Sequence, residues 1–187
     1  EGDIPAGFIE NHLKQTKRNW YTRQVVASLS PEQRAARENE HRQRNVERHQ
    51  DDERKYALAA DAVIAAIAGM TPAPADHPYL VSKGVPPYGA LVMGQEPLML
   101  PPGAEDASRF GRPGHLVVPV QDIEVRIWGA QAIGERGRKS MAKGCKLAGC
   151  FHVIGELDGA KAHITAEGFA TGAELHRLTG LPVAVAF

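Results

Sequence analysis

The chain has 187 residues, 43% of them hydrophobic, with 22 Lys and Arg against 22 Asp and Glu. That length allows one real core and a second small unit, and the balanced charge gives no global attraction to a polyanion. The sequence carries two cysteines and no apolar run near the ~18 residues of a membrane span, which argues against a disulfide-built or membrane-spanning protein and for a reduced, cytoplasmic one.

Residues 1–18 read as irregular chain. Trp20, Tyr21, Val25, Val26 and Leu29 then fall at helical spacing, which predicts a short amphipathic helix. Ser30-Pro31-Glu32-Gln33 opens a long helix: serine as N-cap, proline in the first turn, glutamine at the capping-box position. It should run to about Ala68, where Gly69 and Thr71-Pro72 end it, a length of roughly 55 Å. Its first two-thirds are polar on every face, with Glu38–Arg42, Glu40–Arg44 and Asp51–Lys55 spaced four apart, acid first. Interleaved acids cancel the field of its arginines, so this part reads as a solvated strut, with a surface for partner docking as the alternative. From Tyr56 onward Ala, Leu, Val and Ile dominate, and this end should pack on a core.

Met70 to Asp76 is a Pro/Ala linker, and His77 to Gly84 predicts a one- or two-turn helix with proline at its start and glycine at its stop. Prolines and glycines recur from Val85 to Phe110, leaving Ala90–Met93 and Leu98–Leu100 as brief strands. Leu116–Val120 and Val125–Ile133 form the best hairpin candidate, followed by a strand at Phe151–Ile154. Between Arg136 and Lys146 lie Arg136, Arg138, Lys139, Lys143 and Lys146 with no acid among them, and glycines at 134, 137, 144 and 149 read as a flexible loop able to follow a phosphate backbone. Lys83 is a further candidate phosphate contact. Cys145, Cys150 and His152 give C-x4-C-x-H, which falls short of the two spaced ligand pairs of a structural zinc site, so the thiols read as small buried side chains. At the end, Ala162 to Ala166 alternates as a strand, Glu167 stands where it stops, Gly168 allows a turn, and a helix runs from Phe169 to Gly180. Ligands of open α/β sheets bind beyond such strand ends.

The segment EGFATGAEL, from Glu167 to Leu175, resembles the opening motif of the Toprim domain as found in primases of conjugative plasmids and some phages. HPYLVSKGV, HLVVPVQD, WGAQAIGERGRKSM and GCFHVIG precede it in the order usual for that family. The sequence departs from the family where the turn Asp122-Ile123-Glu124-Val125 lacks its glycine and where Ser140-Met141 replaces a basic–aromatic pair. Together with the helical arm read above, the resemblance gives an expected α+β protein in three parts. These are a helical arm (1–70), a small, mostly antiparallel β unit (71–160), and the first βαβ element of a Toprim domain (161–187). It implies template-directed RNA primer synthesis on single-stranded DNA by metal-dependent nucleotidyl transfer. The substrates would be ribonucleotides, the partner a helicase or another replication or transfer protein, and no membrane would be involved. Glu167 would be the first catalytic carboxylate and a partial site for Mg²⁺ or Mn²⁺. Arg136, Arg138, Lys139, Lys143, Lys146 and Lys83 would contact nucleic acid, with Lys139 matching the family's lysine. The paired aspartates expected after the second Toprim strand are absent, so the sequence reads as an inactive piece of a longer enzyme. Two other readings stay open: part of a Toprim nuclease or topoisomerase, and a non-catalytic DNA-binding or docking module.

Overall fold

A computed structural model describes residues 6–11, 16–21, 30–95 and 110–187. They fall into two compact units, Glu1–Asp51 and Asp52–Phe187. The first holds an antiparallel hairpin of β1 (Ala6–Asn11) and β2 (Thr16–Tyr21), with Gly7 opposite Trp20 and Asn11 opposite Thr16. This corrects the expectation of irregular chain followed by a helix starting at Trp20. Trp, Tyr and Thr favour a pleated surface once a partner strand exists, and helical spacing says nothing about that partner. Val25, Val26 and Leu29 lie outside the described residues.

The long helix α1 (Pro31–Ile67) has 37 residues and forms where the capping signals place it. Ser30 N donates to Gln33 Oε1 at 2.9 Å and Gln33 N donates to Ser30 Oγ at 3.2 Å, the reciprocal bonds of a capping box. The Glu40–Arg44 pair closes at 2.8 Å on an exposed face. The two units divide within this helix. In the second unit its apolar end buries Ala59, Ala60 and Val63. Among the described residues no helix is long and apolar enough to cross a membrane.

The second unit then adds β3 (Thr71–Pro72), α2 (Pro78–Lys83), β4 (Leu91–Val92), β5 (Leu116–Gln121) and β6 (Ile127–Ile133). After these come β7 (Lys139–Met141), β8 (Phe151–Ile154), β9 (Ile164–Ala166), α3 (Phe169–Thr179) and β10 (Val183–Ala186). The expected strand at Leu98–Leu100 lies outside the described residues. β7 corrects the reading of the basic segment as a flexible loop: its backbone pairs with β6, Ile133 opposite Lys139 and Gln131 opposite Met141. A segment of Lys, Ser and Met has no strand signature of its own, and the ladder of β6 supplies the order.

All eight strands of this unit join one mixed sheet, so the protein is α+β. β5 is its hub. β6 runs along one edge, while β4 pairs with its first residues and β8 meets Gln121 at its end. β10 then lies antiparallel to β8 and parallel to β9, with α3 as the crossover. Both faces of β5 are covered, which explains its unbroken apolar run. Leu116 and Val118 pack with Tyr79 and Leu80 of α2 and Phe169 and Ala173 of α3. Val117 faces the other way, against Val63 of α1, Ala130 and Ala132. Full burial of Phe169 contributes about 1.5–3 kcal/mol.

Candidate nucleic-acid interface

Glu167 follows β9 directly and is exposed, at the edge the sequence assigns to it. Gly168, the N-cap of α3, has φ −165°, an extended conformation open to any residue, so the sharp turn expected there is not what calls for glycine. Its neighbour supplies the reason. A Cβ built on Gly168 would stand 3.1 Å from Lys139 Nζ. The missing side chain thus lets the ammonium group settle beside the backbone next to Glu167. Lys139 and Glu167, 28 positions apart in the numbering, are brought to one place.

The other basic residues do not share that place. Strand alternation sends neighbours of β7 to opposite faces. Lys139 lies opposite Ile133, which packs with α3, and Ser140 lies opposite Ala132, which packs with α1. Arg138 and Ser140 therefore stand on the α1 face. There they line a cleft with Arg136, Glu135, Gly134, His115, Pro113, Arg112 and Gly111. Lys146 sits elsewhere again, with Nζ 3.4 Å from Glu53 and 4.7 Å from the centre of the Trp128 ring. Lys143 is exposed in the turn after β7, and Lys83 is exposed in the last turn of α2. The run of five cations is therefore dealt out to four places.

Trp128 is buried in its own network, not presented as a stacking platform. Its indole Nε1 donates to Asp122 Oδ2 at 2.5 Å, and the Arg126 guanidinium lies 4.1 Å from the ring centre. That indole hydrogen bond is the main cause holding the Asp122 carboxyl below its ordinary range. His152 is equally committed. Its Nδ1 lies 3.0 Å from Pro119 O and its Nε2 3.0 Å from Tyr88 O. Burial pushes its pKa down while the two carbonyls pull it up. Burial also pushes the Cys145 thiol up to about 11 and raises that of Cys150, so both stay protonated at neutral pH.

The resemblance implies magnesium or manganese at Glu167. Among the described residues no group of three or more His, Cys, Asp or Glu could hold a metal ion. One exposed carboxylate with an ammonium close by does not fit an ion that wants six oxygens. These residues do not by themselves form the metal site.

Sequence reasoning passed over Arg112, His115, Asp122 and Gln131. Arg112-Pro113 between two glycines was legible as a turn, but nothing local joins it to Arg136. Gln131 is 7% exposed. Its Nε2 donates to Met141 Sδ at 3.4 Å and its Oε1 has no partner among the described residues. The ladder sets it diagonal to Lys139 on the same face.

No protein-family model matches the chain, and no solved structure matches it. Two curated relatives, both described as DNA primase TraC from Escherichia coli, are each 27% identical over 186 residues, or 98% of this chain. The chain spans 16% of the length of one and 12% of the other. It is therefore a distant relative of DNA primase TraC along its whole length, matching a small part of each.

Proposed function

We propose that this chain is the template-handling part of a DNA primase, and that the Lys139–Glu167 edge faces the nucleic acid where nucleotidyl transfer takes place. The observation that carries the reading is the approach of Lys139 Nζ to Gly168, directly beside Glu167. It joins the two residues that the Toprim resemblance singles out, across an intervening β8 and β9. The parallel crossover β9–α3–β10 supports the Toprim reading, and the 27% identity to a small part of DNA primase TraC supports the primase reading.

In this reading the Lys139 ammonium neutralises a phosphate of single-stranded template or ribonucleotide. Among the described residues Glu167 is in no ion pair, which leaves its exposed carboxylate to face the reacting phosphates. Mg²⁺ or Mn²⁺ would polarise those phosphates, with most of its oxygen ligands from outside the described residues. A second reading, a nucleic-acid-binding module without chemistry of its own, is favoured by the solitary carboxylate.

Two measurements separate them. Lys139→Gln should weaken binding of oligo(dT) and lower the slope of log affinity against log salt by about 0.7, the loss of one single-strand phosphate contact. Glu167→Gln should leave that binding intact or tighten it. In the longer enzyme of which we propose this is a part, Glu167→Gln should lower primer synthesis on the order of a hundredfold. Unchanged synthesis with weakened binding in Lys139→Gln would establish the module. Unchanged oligonucleotide binding in Lys139→Gln would remove this edge from nucleic-acid contact altogether.

A further inference from the structure

On the sheet face opposite the Lys139–Glu167 edge lies a cleft of about 510 Å³, walled by the turn before β5 and the turn between β6 and β7. We infer that this cleft is a separate binding site for a chain of phosphates. Arg112 comes from one wall, Arg136 and Arg138 from the other, and Glu135 is the one acid among its lining residues. With His115 neutral the lining carries three positive charges and one negative.

Those charges are left available. Among the described residues none of the three arginines is in an ion pair. By contrast Arg44 pairs with Glu40, Arg177 with Glu174 and Lys146 with Glu53. Planar guanidinium groups supplied from two walls suit phosphate oxygens, which they can grip two bonds at a time.

The floor is built rather than incidental. A Cβ on Gly134 would stand 3.2 Å from His115 Nε2, so glycine there makes room for the imidazole just past the end of β6. Gly134 N donates to Arg138 O at 2.8 Å and Gly137 N donates to Gly134 O at 2.8 Å, fixing the turn that carries Arg136 and Arg138. His115 N donates to Arg112 O at 3.0 Å, closing the opposite wall. His115 Nδ1 is enclosed and has no hydrogen-bond partner among the described residues. Burial first, then the nearby Arg112, hold its pKa below the ordinary value. It therefore presents a neutral imidazole between the arginines.

The site does not depend on the primase reading, because it uses neither Glu167 nor Lys139. Its ligand is a phosphate chain, whether the triphosphate of a nucleotide or consecutive backbone phosphates of a nucleic acid. The test is titration of the 187-residue chain with tripolyphosphate, ATP and oligo(dT) at low salt. The variants are Arg112→Gln/Arg136→Gln/Arg138→Gln and Glu135→Gln, each checked for unchanged thermal unfolding. The triple variant should bind tripolyphosphate at least tenfold more weakly. Glu135→Gln, which removes the opposing charge, should bind it several-fold more tightly. Parallel losses for ATP with oligo(dT) untouched identify a nucleotide site. Parallel losses for oligo(dT) with ATP untouched identify a backbone track. Should the triple variant fail to fold, an unchanged affinity in Glu135→Gln for all three probes overturns the inference. So does a folded triple variant that titrates like the parent with all three.

Discussion

The turn between β5 and β6 carries a strain that one substitution should release. Val125 has φ +66°, in the left-handed region, where a β-branched residue is an outlier. The turn requires this conformation. Val125 N donates to Asp122 O at 3.1 Å, Asp122 N donates to Arg126 O at 3.0 Å, and the β5–β6 register shifts at Val120/Gln121. This is a tight turn closed by a bulge whose last residue prefers glycine. Left-handed backbone costs a residue with a Cβ about 1–2 kcal/mol. Glycine recovers that cost but loses about 0.5–1 kcal/mol to the greater freedom of its unfolded chain. The side chain is 68% exposed, so truncation loses little burial. Val125→Gly should therefore stabilise by roughly 0.5–1 kcal/mol, raising Tm by a few degrees in a chain of this size. Val125→Asn, which tolerates the left-handed region without glycine's entropy, should do about as well. Urea unfolding followed by circular dichroism reads both. Destabilisation by glycine and asparagine alike would refute the argument.

Asp122→Asn should loosen the same turn and shift the fluorescence of Trp128, whose indole donates to that carboxylate. The Asp122 pKa is held down in the folded state, so its stabilisation is present above the ordinary carboxylate range and fades as pH falls through the lowered value. In the Asn variant that acid-side loss should be smaller, and an unchanged acid profile would show that the bond contributes nothing. Gly172→Ala should destabilise although alanine is the better helix former, because its Cβ would meet Val185 Cγ2 at 2.7 Å and Val183 Cγ1 at 3.3 Å. Overpacking of this kind costs about 1–3 kcal/mol against the ~1 kcal/mol propensity gain, and a raised urea midpoint would contradict it.

Sequence alone determined the elements whose signals are local. The capping box at Ser30 and Gln33, the proline start and glycine stop of α2, the alternation of β9 and the Gly180 end of α3 all lie within a few residues of what they control. Glu167 at its strand end was legible for the same reason. Tertiary structure alone decided where charge goes. Lys139 and Arg138 are neighbours in sequence, yet the pleat of β7 sends one to Gly168 and the other to the cleft with Arg112. β7 itself, and the hairpin of β1 and β2, exist through backbone bonds to a partner strand that no local pattern names. A run of five cations looks like one surface on paper because sequence records spacing and not the face on which each residue emerges. The strand's two-residue period, the partners waiting on either face and the turn beyond the strand made it four.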